Sequence, residues 1–225
     1  MQKINLQTLE AKLWACADIL RGTLSSTQYM EYIFGMLFLK RINDQFELER
    51  KQKKEQFSKL PEDALNKILE DPKAYKTFFI PKQARWANFK DLNLNIGPEL
   101  DKAFKAIEDE PKNSELVSVL TTANYNDKER VPDGKLNQLI QIFDAMNLSN
   151  EGIVSPDILG DAYMYLIKQF ADDSGTKGGE FYTPKEVKDV MVKLLKPHEA
   201  MAIYEIIMQR LIQFNDCRRS LQLVG

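Results

Sequence analysis

The chain has 225 residues, 44% of them hydrophobic, which is enough to bury the core of one or two domains. Its 31 basic and 33 acidic residues give a net charge of -2, which excludes a uniformly basic nucleic-acid coat but allows a local basic patch. Cys16 and Cys217 lack the spacing of a metal site or a disulfide framework, and no window is apolar enough for a membrane span. Charged residues close to the N-terminus argue against a signal peptide. We therefore expect a soluble, cytoplasmic protein with reduced cysteines.

Two helices are predicted at the N-terminus. In LQTLEAKLWACADILRG, apolar residues recur at helical spacing, and Gly22 supplies a stop. Cys16 lies within this pattern, which favours a small buried thiol. Ser25 and Gln28 then have the spacing of a capping box, ahead of a run that is apolar almost all round. We predict a long helix whose first half is buried and whose second half, from Arg41, faces solvent.

The next part of the chain is more broken. Near the end of the long helix, Arg50, Lys51, Lys53 and Lys54 alternate with glutamates, which favours a solvated helix face over a DNA-binding stripe. Between Pro61 and Pro81, prolines interrupt short helical pieces. The segment FFIPKQARWANFKDL has weak periodicity, and either a loop or a short pair of strands is plausible.

Three further amphipathic helices follow. They are predicted in GPELDKAFKAIEDEP, with Pro98 in the first turn, in DGKLNQLIQIFDAMNLS, and in SPDILGDAYMYLIKQFADD, with a cap at Ser155-Pro156. In the last of them the apolar face is expected to comprise Leu159, Tyr163, Leu166, Ile167 and Phe170. The fold class is therefore mainly α, a multi-helix domain with little or no β-structure.

A distinct motif follows in GTKGGEFYTPKEV. Thr183 and Glu186 have the spacing of a capping box, Pro184 fits the first helical position, and Gly178-Gly179 allow a close backbone approach. The helix is predicted to stop at Pro197. Such a helix start can bind a carboxylate or phosphate, although an ordinary loop-to-helix junction explains the geometry equally.

This motif carries a family resemblance. The stretch LGDAYMYLIKQFADDSGTKGGEFYTPKEVKDVMVKLLKP closely resembles the modification (methyltransferase) subunit of type I restriction-modification systems, in which GGEFYTP marks the start of the adenine-N6 DNA methyltransferase domain. The segments PKQARWANF and GKLNQLIQIFDAMNL resemble its helical N-terminal domain. The resemblance covers residues 6 to 197 and implies a helical partner-binding and DNA-clamping domain at 1–154, the start of the methyltransferase domain at 155–197, and a divergent tail at 198–225.

The resemblance also implies a cofactor site and partners. The family binds S-adenosylmethionine partly through this segment, which implies cofactor contacts at Glu180, Phe181, Tyr182, Thr183, Pro184 and Lys185. The helix start after Thr183 would bind the methionine carboxylate of the cofactor. The ring of either Phe181 or Tyr182 would pack against its sulfonium group. Type I subunits of this kind assemble with a specificity subunit, a restriction subunit and DNA.

Two elements of such a methyltransferase are not found in these residues. After Gly179 the only glycine is Gly225, so the cofactor-cradling glycine-rich turn is missing, and no Asn-Pro dipeptide occurs to form the Asn-Pro-Pro-aromatic loop that holds a flipped adenine. Ile203, Ile206 and Ile207 instead belong to a pattern that suits an amphipathic helix. We therefore expect an N-terminal part of a modification subunit, ended by a frameshift, early stop or gene disruption. It should bind the cofactor weakly or not at all and should not methylate DNA alone.

No catalytic or metal-ligating residue is predicted. No Ser, Cys or metal-ligand constellation surrounds His198, the only histidine, and a solvent-exposed residue after a proline is the simpler interpretation. Two alternatives to a methyltransferase fragment remain: a non-catalytic helical interaction module that binds a specificity subunit, and a folded remnant without activity.

Overall fold

The computed structural model describes residues 3–116, 123–173 and 185–196 and is built from helices. The chain divides into two compact units, Met1–Ser155 and Pro156–Gly225. The α-helices are α1 (Leu6–Leu20), α2 (Ser26–Gln56), α3 (Glu62–Leu69), α4 (Ile96–Glu108), α5 (Asp133–Asp144), α6 (Ile158–Asp173) and α7 (Lys185–Leu195). Short 3-10 helices span Pro72–Ala74, Lys82–Ala84, Trp86–Asn88 and Pro111–Leu116. The described ranges contain no strand, only isolated bridges such as Ile4 with Ile153, so the mainly α prediction is confirmed.

Helix α1 forms as its sequence pattern predicts. The side chain of Asn5 caps it by accepting from the Thr8 N–H at 2.9 Å, and Gly22 follows its end with a φ of 90°, a conformation that favours glycine. Its inner face buries Leu9, Leu13, Cys16, Ala17 and Leu20. Burial raises the pKa of the Cys16 thiol to about 12, which fits the predicted buried, protonated cysteine.

Helix α2 begins at the predicted capping box, but its burial extends further than predicted. Ser25 and Gln28 exchange the two hydrogen bonds of the box. The expectation that the helix faces solvent from Arg41 is wrong, because Ile42, Asn43 and Phe46 are buried. Segments far away in sequence pack against this part of the helix, and the exposed stretch begins only near Lys51.

The segment around residues 80–90 adopts the loop alternative. The two 3-10 turns, Lys82–Ala84 and Trp86–Asn88, replace the alternative of a strand pair. The buried Asn43 side chain explains this choice: its amide group donates to the Ala84 carbonyl at 3.3 Å and accepts from the Trp86 N–H at 2.8 Å. Backbone groups that a strand ladder would use are thus bonded to α2.

Helices α4 and α5 form at the predicted segments, although α5 ends at Asp144 and not at the end of its segment, and each buries its expected apolar stripe. Leu100, Phe104 and Ile107 are buried on α4, and the α5 stripe is Leu136, Leu139, Ile140 and Phe143. The two helix starts are joined, because the Asp133 carboxylate accepts from the N–H groups of Asn95 and Ile96, both at 2.9 Å. A carboxylate at a helix N-terminus satisfies backbone donors that have no partner within the helix.

A pair of tyrosines fixes the chain after α4 to α2. The Tyr125 hydroxyl donates to the Tyr32 carbonyl at 3.0 Å, and the Tyr32 hydroxyl donates to the Asn124 carbonyl. The Tyr125 ring stacks on Phe104 with 5.2 Å between centroids, and burial raises its pKa well above the usual value. These long-range contacts hold residues 123–131 against the core of the first unit.

The second unit contains α6 and α7. Helix α6 begins at Ile158, after a turn at Pro156 and Asp157 in which the Leu159 N–H donates to the Pro156 carbonyl. The predicted Ser155-Pro156 cap stays a prediction. Its most buried residues are Ile158, Ala162, Leu166 and Ile167, while Leu159 and Tyr163 are partly exposed. The Phe170 side chain lies outside the described residues. Among the helices that the structure describes, none combines the length and apolar character needed to cross a membrane.

Candidate cofactor site and its surroundings

The predicted cofactor segment lies at the N-terminal side of α7. Glu180, Phe181, Tyr182, Thr183 and Pro184 fall outside the described residues, and Lys185 is the first residue of α7. Helix α7 runs from there to Leu195, so a helix is present between the predicted Thr183 start and the predicted stop at Pro197. The Thr183 cap and the six cofactor contacts stay predictions.

Helix α7 displays an unusual amount of apolar surface. Five of its large apolar side chains are between 47% and 77% exposed: Val187, Val190, Met191, Leu194 and Leu195. Asp189 and Lys193 are exposed on the same short helix. Isolated exposed leucines are common, but five within eleven residues form a contiguous patch typical of a packing surface.

Neither a metal-binding cluster nor a charged pocket is found among the described residues. No cluster of three or more His, Cys, Asp or Glu side chains among them could hold a metal ion. An open hollow lies between Pro81–Gln83 and the outer face of α4. Its two lysines are already paired, Lys102 with Glu99 at 2.7 Å and Lys105 with Asp109 at 3.2 Å. It therefore lacks the uncompensated charge that would attract an anionic ligand.

The predicted basic cluster near the end of α2 is divided between two roles. Arg50 pairs with Glu70 at 3.0 Å, and the Lys53 ammonium lies 5.3 Å from the centre of the Tyr75 ring. Lys51 and Lys54 are exposed. Burial alone would raise the pKa of Glu70, but the hydrogen bond and charge of Arg85, with the charge of Arg50, lower it. Half of the cluster thus stabilises the fold, which weakens the alternative of a DNA-binding stripe.

The first unit also contains a buried ion pair that the sequence analysis missed. Lys40 and Asp44 form an i, i+4 pair with only 6% and 16% of their side chains exposed. Burial raises the pKa of Asp44, and Lys40 offsets only part of that rise. The Lys40 ammonium lies 5.5 Å from the centre of the Trp86 ring, whose N–H donates to Asp144 at 2.9 Å. The available signal was a lysine in an apolar run with an aspartate four residues later.

Comparisons with known proteins match both parts of the chain. The family model "HsdM N-terminal domain" matches residues 9–143, and "N-6 DNA Methylase" matches residues 154–209. The MjaIX methylase subunit of a type I restriction enzyme from Methanocaldococcus jannaschii is 28% identical over 198 residues, covering 83% of this chain and 35% of that protein. The MpnII methylase subunit from Mycoplasma pneumoniae is 25% identical over 211 residues, covering 83% of this chain and 39% of that protein.

A solved structure shows the same fold. The methyltransferase subunit of a type I restriction-modification system from Streptococcus thermophilus superposes with a TM-score of 0.61 at 24% identity, covering 84% of this chain and 44% of that one. The match to the HsdM N-terminal domain comes first along the chain, and the match to N-6 DNA Methylase follows it. This chain spans between 35% and 39% of the length of the two relatives named above.

Proposed function

The chain belongs to the HsdM N-terminal domain family, the N-terminal region of type I restriction-modification methylase subunits, and on that premise we propose that it serves as the assembly part of an adenine-N6 DNA methyltransferase subunit. The observation that carries the proposal is the order of the two family matches. Residues 9–143 match the helical domain, and GGEFYTP, residues 178–184, lies within the methylase match at 154–209.

We propose that the first unit provides protein and DNA contacts rather than chemistry. Several of its enclosed or partly enclosed charged groups form ion pairs, as in Lys40 with Asp44 and in Glu70 with Arg50 and Arg85. Groups engaged in this way stabilise a scaffold and are not free to transfer protons to a substrate. The proposed partners are the specificity subunit and the restriction subunit of a type I system, with DNA bound within the complex.

The segment before α7 is the proposed cofactor-facing part. Glu180, Phe181, Tyr182, Thr183, Pro184 and Lys185 would contact S-adenosylmethionine, and the first N–H groups of α7 would face its methionine carboxylate. Free N–H groups at a helix start carry a partial positive charge that favours such an anion. When bound, the cofactor supplies an electrophilic methyl group. The role of these residues is to orient it.

We further propose that these 225 residues do not methylate adenine unaided. Adenine-N6 chemistry needs acceptors for the hydrogens of the target amine and an aromatic ring against the flipped base. The Asn-Pro-Pro-aromatic loop that supplies both in the family has no counterpart in this sequence, which contains no Asn-Pro dipeptide.

Calorimetric titration with S-adenosylmethionine tests the cofactor proposal, and a methyl-transfer assay on adenine-containing DNA tests the proposal that these residues do not methylate adenine unaided. We expect no methyl transfer and a dissociation constant weaker than micromolar, less favourable than about -8 kcal/mol. Phe181→Ala and Tyr182→Ala variants should abolish any residual binding heat, while Val154→Ala, an exposed position, serves as the control. Methyl transfer by the purified chain alone would contradict the proposal that it does not methylate adenine unaided, and binding heat unchanged in both aromatic variants would contradict the cofactor contacts.

A binding experiment with a specificity subunit of a type I system tests the assembly proposal independently. Co-elution with that subunit is expected whether or not the cofactor binds. Partner binding without cofactor binding would favour the interaction module over the methyltransferase part. A chain that binds neither the cofactor nor the specificity subunit would be interpreted as a folded remnant without activity.

A further inference from the structure

Three side chains of α2 converge on one segment near the end of the first unit. The Arg41 guanidinium donates to the Leu148 carbonyl and to the Asn150 side chain. One turn later, the Asp44 carboxylate accepts from the Leu148 N–H at 2.7 Å, and Gln45 accepts from the Asn150 N–H at 3.1 Å. Both backbone groups of Leu148 are therefore bonded to side chains of a helix more than 100 residues earlier.

The N-terminal residues hold the other end of the same segment. The Ile4 N–H donates to the Gly152 carbonyl at 2.8 Å, and the Ile4 carbonyl accepts from the Val154 N–H at 3.1 Å. The next residue, Asn5, is the N-cap of α1. Residues 152–154 are thus tied through Ile4 to the beginning of α1.

The segment itself is folded tightly enough to need a glycine. A Cβ atom on Gly152 would lie 2.2 Å from the Asn147 carbonyl oxygen, a distance that no real side chain tolerates. Leu148, Ser149 and Ile153 are at most 2% exposed, whereas Val154 is 54% exposed. The segment thus alternates buried residues with exposed ones such as Asn150 and Glu151, and its last bond to Ile4 lies just before the second unit begins at Pro156.

We propose that Arg41, Asp44, Gln45 and Ile4 form a clamp that fixes the point at which the chain leaves the first unit. The clamp holds residues 147–154 through bonds to α2 and to the start of α1. This inference goes beyond the proposed function, since it requires neither cofactor, DNA nor partner.

The clamp differs from the hydrophobic core in the way it is held. Its hydrogen bonds come from side chains and from one N-terminal residue, and Leu148 and Ile153 are the two large apolar residues that it buries. These bonds and contacts can therefore be lost while helices α4 and α5 stay folded. We therefore expect residues 147–154 to open as a local unit, with a free energy below that of global unfolding.

Hydrogen exchange measured by mass spectrometry on the full chain tests the clamp. Arg41→Ala removes both guanidinium bonds, and Ile4→Pro removes the N–H that donates to Gly152. In at least one of these variants the amides of residues 148–154 should exchange about tenfold faster, while those of α4 and α5 keep their wild-type rates. Ile4→Pro leaves the buried residues unchanged and remains informative if Arg41→Ala does not fold.

Two matched variants serve as controls. Arg50→Ala removes another arginine of α2, one that pairs with Glu70, and Lys3→Pro places proline one residue before the bridge while keeping the Ile4 N–H. Neither should change exchange at residues 148–154. The proposal is overturned if both test variants leave that segment at wild-type rates, or if its exchange rises only in step with α4 and α5.

Discussion

At the scale of single residues, the Lys40–Asp44 pair shows how burial changes the consequence of losing one partner. The two charges are nearly enclosed, and Asp44 also accepts from the Leu148 N–H. Removing one member of a buried pair leaves an uncompensated charge in a poorly solvated site, which is far more costly than losing an exposed pair.

We predict that Lys40→Met lowers the free energy of unfolding by about 3–5 kcal/mol at pH 7. Because burial raises the pKa of Asp44, the folded protein without Lys40 binds a proton more readily than the unfolded chain. Protonation then removes the unpaired charge, so the loss should shrink as the pH falls toward the ordinary carboxyl range. Urea denaturation at several pH values measures this dependence.

The control for this prediction has the same spacing on the surface. Lys105 and Asp109 also form an i, i+4 pair, but their side chains are 75% and 62% exposed. Lys105→Met should cost about 0.5 kcal/mol or less. Equal losses in the two variants would show that burial does not determine the strength of the Lys40–Asp44 pair.

At the scale of elements, helix starts are the features that local sequence specified best. The Ser25–Gln28 box at α2 is confirmed, and the Asn5 cap at α1 uses the same chemistry. The side chain supplies an acceptor for an N–H group that the helix cannot satisfy by itself, so residues within one turn decide the outcome. At α6 the regular helix starts at Ile158, after a turn at Pro156–Asp157, and the Ser155-Pro156 cap stays a prediction.

The same chemistry predicts that Thr183→Ala destabilises α7 by about 1 kcal/mol. Thermal denaturation followed by circular dichroism measures this loss. Ser25→Ala, at a cap that the structure describes, should give a loss of similar size and calibrates the measurement, while Thr183→Asp, which keeps an acceptor, should restore stability. An unchanged transition in Thr183→Ala would show that Thr183 does not cap the helix.

At the scale of the whole molecule, the first unit has a core of its own. Apolar residues from α1, α2, α4 and α5 are buried together with Tyr125 and Ile153, all within Met1–Ser155. Both tryptophans, Trp14 and Trp86, also belong to this unit. Tryptophan fluorescence therefore reports on the first unit alone, whereas circular dichroism reports on all helices.

We predict that a chain shortened to residues 1–155 folds and keeps a cooperative fluorescence transition within a few degrees of that of the full chain. The expected reason is that its buried side chains find their partners within the unit. A chain shortened to residues 1–146, which removes the segment held by Arg41 and Ile4, is the comparison and should melt at a lower temperature. Loss of cooperativity in the 1–155 chain would contradict the prediction.

The sequence by itself determined most of the helices, the cap of α2, many of the buried faces and the family, because these depend on residues one or two turns apart or on a short motif such as GGEFYTP. The tertiary structure decided what depends on distant residues. Asn43 selected 3-10 turns over a strand pair, and the burial of α2 past Arg41 required segments that lie far from it in sequence. Asp44 and Leu148 are 104 residues apart, and no local sequence pattern marks such a pair. Only the folded chain brings the buried Asp44 carboxylate to the Leu148 N–H, a backbone donor that needs an acceptor.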